Sequence, residues 1–383
     1  MVPPLRLFLA FLRLGATAFG GPAMIAHIRD LAVERNRWVT GDSFRTGVAL
    51  CQSIPGATAM QMACYVGLRS GGLRGAAASF VGFGLPAFLL MVALAAGYAG
   101  SRELPAVVSL FGGLNVLVVA IVGHATFRFG REIVRGARDA SVAVASCALF
   151  WAGVSPFLVI AASAVAGMSI LGGRERAGVA GTVGTGAGGA PRPVVLFVLL
   201  ACAGVAALFA VDRRLYQLAT VMLRVDLFAF GGGFGSLPLM FHEVVTAKNW
   251  MDGKTFMDGV ALGQVTPGPI VITAAFVGYL VAGLPGAAVA TAGIFTPSFV
   301  ILVTVTPYYD RWKDARRFAA ATRGILSSFV GLLLYMTFRF GAAVPWSPGR
   351  ALFGAAAALA LARGVNILYV VLAAAALSVL LFR

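Results

Sequence analysis

Apolar runs long enough to cross a bilayer recur along the whole chain, and short basic segments separate them. Runs of that kind predict membrane-spanning helices. Six are predicted in the first half, near residues 5–27, 46–68, 75–99, 105–126, 139–153 and 155–172. Six more are predicted near 215–241, 258–281, 284–305, 317–338, 349–363 and 365–382. Between them, Gly173 to Pro193 has the Gly/Ala/Thr/Pro composition of a flexible loop. The unpaired apolar run Val194–Val211 makes a thirteenth span. Segments 5 and 6 also fit a half-depth hairpin, which keeps the parity of crossings. Reading 5–27 as re-entrant changes it.

The two sets of six are copies. Ala18-Phe19-Gly20-Gly21 returns as Ala229-Phe230-Gly231-Gly232, Trp38 as Trp250, and Gln52 as Gln264. Pro55-Gly56 returns as Pro267-Gly268, Pro86 as Pro297, and Thr126-Phe127-Arg128-Phe129-Gly130 as Thr337-Phe338-Arg339-Phe340-Gly341. The offset is 211 or 212 throughout. This predicts a first repeat at 1–172, a linker with an unpaired helix at 173–211, and a second repeat at 212–383. An odd helix between two even sets predicts that the second copy is inverted. With a cytoplasmic N-terminus, Arg6, Arg69, Arg74, Arg128, Arg131, Arg135 and Arg138 lie inside, followed by Arg174, Arg176 and Arg192. In the second copy the equivalent of the Arg69/Arg74 loop has no Arg, and the next loop gains Arg311, Lys313, Arg316 and Arg317. The basic bias has moved to the opposite loops, as inversion requires. One loop fits poorly: Arg29, Arg35, Arg37 and Arg45 fall outside. The fold class is therefore an all-α polytopic membrane protein with two inverted repeats, the arrangement of carriers whose site lies between the copies.

Composition agrees. Of 383 residues, 60% are hydrophobic and 11% charged, against roughly 25% charged in soluble domains, and mean hydropathy is +0.91. The net charge of +16 is spread over short loops, so it reads as topology signal or attraction of an anion and not as a nucleic-acid surface. Residues 5–27 resemble a signal peptide, but their twin at 215–241 lies mid-chain, so the segment is a core element. The four cysteines form no CxxC. His242-Glu243-Val244-Val245-Thr246 fails as HExxH, and Walker A and GxSxG sequences are absent. An enzyme, a metal site and a cofactor are not expected.

The repeated motifs are made of helix breakers. Gln52-Ser53-Ile54-Pro55-Gly56-Ala57-Thr58 and Gln264-Val265-Thr266-Pro267-Gly268-Pro269-Ile270 predict discontinuous helices near mid-membrane, each with a second half starting at the Pro-Gly. The N–H groups of Gly56, Ala57, Thr58, Gly268 and Ile270 then lack helical partners and form an anion site at the positive end of a half-helix. Gly20-Gly21 and Gly231-Gly232 predict a second break beside each, or close packing through small residues. Arg13 and Arg224 are equivalent intramembrane cations, with interfacial snorkelling as the alternative. Asp226 is the one acid placed inside a span, a coupling candidate or a partner for Arg224. Paired Arg and paired helix starts suit a small anion. The predicted substrate-binding set is Arg13, Gly20, Gly21, Gln52, Pro55, Gly56, Thr58, Arg224, Gly231, Gly232, Gln264, Thr266, Pro267 and Gly268.

Phe19-Gly20-Gly21-Pro22, His27-Ile28, Arg37-Trp38, Leu50-Cys51-Gln52-Ser53-Ile54-Pro55-Gly56 and Tyr65-Val66-Gly67 resemble the N-terminal half of the chromate ion transporter family. Phe228-Ala229-Phe230-Gly231-Gly232-Gly233, Trp250, Ala261-Leu262-Gly263-Gln264-Val265-Thr266-Pro267-Gly268-Pro269-Ile270 and Gly278-Tyr279 resemble its C-terminal half. The resemblance implies a two-domain exporter of chromate in the cell inner membrane that gives chromate resistance. It implies coupling to the proton-motive force or to antiport with another anion. Two positions depart from the family pattern: Ala57 stands where a second proline is usual, and Asp226 where a small residue is usual. Chromate is a doubly charged tetrahedral acceptor, and the proposed site offers donors. Sulfate shares that shape. The partners are thus chromate or sulfate and the lipid bilayer, with a homodimer compatible and nucleic acid excluded. A sulfate or other oxyanion carrier, a passive anion channel and a membrane scaffold are the alternatives.

Overall fold

The computed structural model describes residues 1–19, 21–171, 192–309 and 315–381. Gly20, Arg174, Arg176, Arg311, Lys313 and nearly all of the Gly-rich stretch lie outside the described residues. The rest form fifteen α-helices and no strand. They are α1 (Pro4–Thr17), α2 (Gly21–Arg29), α3 (Gly41–Ser53), α4 (Thr58–Ser101), α5 (Pro105–Ile133), α6 (Ala137–Trp151), α7 (Pro156–Ala166) and α8 (Arg192–Val211). The second half follows with α9 (Arg213–Leu227), α10 (Gly233–Phe241), α11 (Gly253–Val265), α12 (Thr273–Val305), α13 (Arg316–Ala343), α14 (Pro348–Ala362) and α15 (Ile367–Leu381). Both α2 and α10 run on as π turns, Asp30–Arg35 and His242–Ala247. Both α4 and α12 lose helical geometry at one place, Gly71-Gly72 and Ala282-Gly283.

Five described helices are long and apolar enough to cross a membrane: α4, α5, α8, α12 with its leading turn, and α13. The other predicted spans take a different form. Residues 5–27 do not make one crossing. Helix α1 ends at Ala18 in extended backbone (φ −84°, ψ 110°), and the chain after Gly21 returns beside it. Arg6 Nη2 donates to Asn36 Oδ1 at 3.4 Å, and the Phe11 and Trp38 rings stack at 6.4 Å. The second predicted span also folds back. Ser43 and Tyr65 face each other, with the Tyr65 hydroxyl 3.1 Å from the Ser43 carbonyl. Gly47 leaves room for that fully buried ring; a Cβ there falls 2.6 Å from it. In the second half Gly259 faces Phe276 in the same way.

The reversal has a local cause. Ile54 and Ala57 are extended, and Gly56 between them has φ +123°, a region open to glycine and strained for other residues. The break starts a new helix at Thr58, as the motif predicts, but turns it around. The 14 residues of α1 and 13 of α3 rise only about 20 Å, short of the roughly 30 Å hydrocarbon core. Both hairpins open at one end, where the Val2 N–H donates to the Ser70 carbonyl at 2.9 Å. The loop carrying Arg35 and Arg37 therefore lies beside the N-terminus and not across the membrane from it, which corrects its expected placement outside.

Candidate functional site at four helix breaks

The hairpin tips meet in the middle of the protein. The Gly56 N–H donates to the Ala229 carbonyl, and the Gly268 N–H donates to the Ala18 carbonyl, both at 2.8 Å. Ala18 and Ala229 are equivalent, as are Gly56 and Gly268, so each half makes the same bond to the other. Thr126 Oγ1 and Thr337 Oγ1, also equivalent, touch at 3.1 Å. Equivalent residues touch each other only on an axis relating the halves. The N–H groups of Gly56, Ala57 and Gly268 are thus partnered across the halves and not within their own helices. Gly56 and Gly268 use carbonyls of the opposite tip, and the Ala57 N–H donates to Ser298 Oγ at 3.0 Å. Backbone groups buried away from water require such partners, and the facing tips supply them.

Several predicted residues do gather here. Gly268 (φ +104°) lies against Ala87, which a Cβ would approach to 2.8 Å. Gly231 and Gly232 have φ +81° and +80°. The first lies under the Phe129 ring and the second beside Thr58 Oγ1. The Pro55 carbonyl accepts from Gln61 Nε2 at 2.6 Å. Thr266 caps its own helix through the Gly263 carbonyl at 3.0 Å, next to the buried Pro267. Gln264 is buried, and its Nε2 has no partner among the described residues. Gln52 is exposed on α3. Gly21 starts α2, and Gly20 lies outside the described residues.

A cavity of about 810 Å³ runs along the first hairpin, lined by residues between Pro3 and Trp38, and includes Ala18, whose carbonyl belongs to the junction. Arg6, Arg13, His27 and Arg35 line its walls, and Thr17 and Ala18 reach the tips. Asp30 offsets Arg35, at 2.7 Å. Arg13 has no ion pair among the described residues. Its equivalent, Arg224, is not brought to the tips. It pairs with buried Glu243 at 3.2 Å and lies over the Phe157 ring. The two arginines do not form the symmetric pair expected of them. Asp226 does not pair with Arg224 either. Its Oδ2 accepts from the Ser298 N–H at 2.8 Å and from the Ser298 hydroxyl at 2.7 Å.

The sequence model of the chromate transporter family matches the chain twice, over residues 5–168 and 216–379. The chain belongs to the chromate transporter family. It is 42% identical over 380 residues to an uncharacterized transporter of Methanocaldococcus jannaschii, covering 96% of this chain and 92% of that protein. A chromate transport protein of Cupriavidus metallidurans is 30% identical over 86% of this chain and 80% of its own length. One from Pseudomonas aeruginosa is 31% identical with the same coverage. No solved structure matches the chain. The protein is thus a multi-pass membrane transporter of a family whose activity is chromate transport.

The protein also holds buried polar groups that the pattern of apolar runs concealed. Asp226 is joined inside the protein by Asp139, Glu243 and Asp258. Asp258 accepts from Tyr98 at 2.8 Å and Asn115 at 2.9 Å. Asp139 pairs with Arg323 at 2.8 Å. Asp139 and Asp258 are the first residues of predicted spans, where a hydropathy window treats acids as loop. The available signal was the set of polar residues inside apolar runs: Tyr98, Asn115, Ser298 and Arg323.

Proposed function

We propose that this protein is a secondary carrier that exports chromate from the cytoplasm by alternating access between two halves of opposite orientation. The observation that carries the proposal is the reciprocal pair of tip hydrogen bonds, Gly56 to Ala229 and Gly268 to Ala18, at the end of an arginine-lined cavity. The odd helix α8 between the halves supports inversion. Three hairpins return the chain to the side they leave, and α4 and α5 cross twice. The single crossing of α8 then starts the second half from the other face. Irregular backbone at mid-membrane is tolerated where protein buries it, and Gly56, Ala57, Pro267 and Gly268 are buried.

Arg6, Arg35, Arg37, Arg45, Arg69 and Arg74 gather at the end where the first hairpins open, which supports reading that end as the cytoplasmic one, in the inner membrane. The cavity along the first hairpin begins at that end, which supports an inward-facing reading. Chromate accepts hydrogen bonds and donates none. Arg13 draws it to the tips, where rocking of the halves frees the Gly56 and Gly268 N–H groups from their carbonyl partners. The oxyanion takes those donors, with Thr58, Gln52 and Gln264 Nε2 completing the shell. Pro55, Pro267 and the positive-φ glycines hold the backbone in its turn, with Gly21 and Thr266 flanking it. Export against a gradient requires coupling to the proton-motive force or to counter-transport of another anion, and yields chromate resistance.

Sulfate offers the same acceptors and is the competing substrate. The test is flux of labelled chromate and sulfate into inside-out vesicles, with and without a proton gradient. The proposal expects saturable chromate entry that unlabelled chromate on the far side accelerates. Linear entry without such acceleration identifies a passive anion channel and contradicts it.

A further inference from the structure

The buried acid behind the first Pro-Gly tip belongs to a three-residue unit that the second tip lacks. Asp226 is fully buried. Its Oδ2 holds both donors of Ser298, and its Oδ1 has no partner among the described residues. Ser298 Oγ in turn accepts the Ala57 N–H. The equivalents of Asp226, Ser298 and Ala57 are Gly15, Ala87 and Pro269. The three differences interlock. Proline has no N–H and needs no acceptor, so Ala87 suffices opposite Pro269. Ala57 has an N–H, which requires the serine, whose proton requires an acceptor. The two departures from the family pattern, Ala57 and Asp226, are thus two ends of one hydrogen-bonded chain.

No cation balances this carboxylate among the described residues. Helices α8, α10 and α12 pack on α9. Helices α10 and α12 contain no Asp, Glu, Lys, Arg or His, and α8 has only Arg192 at its start. On α9 itself Arg224 turns to Glu243, and Arg213 and Arg214 stand at the helix start, about three turns from Asp226, with Arg213 over the Phe209 ring. The hairpin tip, residues 54–57, has no titratable side chain. A buried charge without a counter-ion is unfavourable, and a dianion at the tips adds a like charge that favours the protonated acid. We propose that Asp226 is the proton site coupled to the oxyanion: its free Oδ1 takes one proton from water when the dianion binds at the tips. The neutral acid is a weaker acceptor, so it loosens Ser298 and releases the Ala57 N–H toward the anion. The inference rests on the tips being the oxyanion site.

Proton binding and anion binding favour each other equally under this scheme, so the two travel together, and the interior-negative membrane potential acting on the remaining single negative charge drives their export. The test uses the purified full chain, with chromate affinity and proton uptake measured on the alkaline side of chromate's own protonation. The wild type should take up one proton per chromate, and its affinity should fall by up to about tenfold per pH unit as pH rises. Asp226→Asn should take up none, bind independently of pH, and bind more tightly than wild type at the alkaline end. A gain in affinity is not what damage to a structural residue produces. If Asp226→Asn does not insert, the triple variant Ala57→Pro, Ser298→Ala, Asp226→Gly copies the arrangement of the second half and should likewise lose proton uptake. Retained proton uptake in the inserted variant overturns the coupling role alone. A wild type that binds no oxyanion at any pH overturns this role together with the site.

Discussion

The two Pro-Gly tips share one backbone design and differ in what stands behind them. Behind Gly268, the contact is the Ala87 side chain, and Pro269 leaves no N–H to satisfy. Behind Gly56 stand Ser298 and the buried carboxylate of Asp226. The tip bonds themselves are the same length in both halves. Backbone geometry is therefore the shared part of the site, and side-chain chemistry is the part that separates the halves. The arginines show the same division. Arg13 faces an open cavity, and Arg224 is taken up by Glu243, whose counterpart in the first half is Leu31.

The largest effect should come from breaking what the halves share. Gly56→Val and Gly268→Val place a β-branched side chain at φ +123° and +104° and drive it into Ser298 and Ala87. Each should abolish chromate flux in inside-out vesicles at normal expression. Loss of one charge-assisted hydrogen bond alone is worth about 1.5–3 kcal/mol, about ten- to hundredfold in affinity. Near-normal flux in both variants makes the breaks mere turns.

Next is a stability contrast. Asp139→Ala removes a fully buried carboxylate from its ion pair with the partly buried Arg323. Breaking a buried pair costs about 3–5 kcal/mol, and the partial exposure of Arg323 places this at the low end. The equivalent of Asp139 is Arg350, which bonds the Pro345 carbonyl from an exposed end of α14. Arg350→Ala should lower the melting temperature less than Asp139→Ala, and equal losses would mean that the two ends of the bundle are held alike.

A smaller effect separates the arginines. Arg13→Gln should weaken chromate uptake about tenfold, near 1.4 kcal/mol, with Arg13→Lys recovering part because it lacks the planar fork. Arg224→Gln should lower thermal stability by leaving Glu243 unpaired, with affinity changed less. Matching affinity losses would restore the symmetric pair. Smallest of all is Cys51→Ser, since its counterpart is Gly263; its flux should stay within a few-fold of wild type.

Much of this was legible in the sequence. The repeat offset gave the two halves, the Pro-Gly pairs gave the breaks, and the charge-free run 194–211 gave the odd helix. The return of each broken helix was not legible. Hydropathy measures apolar length, and two short helices folded back on each other present the same apolar residues as one that crosses. The clues lay in pairs remote in sequence, such as Arg6 with Asn36 and Gly47 with Tyr65. For the same reason the basic loop at Arg35 and Arg37 read as an anomaly until the hairpin placed it beside the N-terminus. Asp258 and Asp139 were hidden because their partners, Tyr98, Asn115 and Arg323, come from the other half.

The central claim is that the two sets of hairpins enter from opposite faces and meet at their tips. Glu34 and Thr246 are equivalent exposed residues at the open ends of the first hairpin of each half. In a background lacking the exposed Cys202, Glu34→Cys and Thr246→Cys are to be labelled in intact cells and in inside-out vesicles with an impermeant thiol reagent. The account predicts that Glu34→Cys reacts only in vesicles and Thr246→Cys only in intact cells. Labelling of both from one side would contradict it.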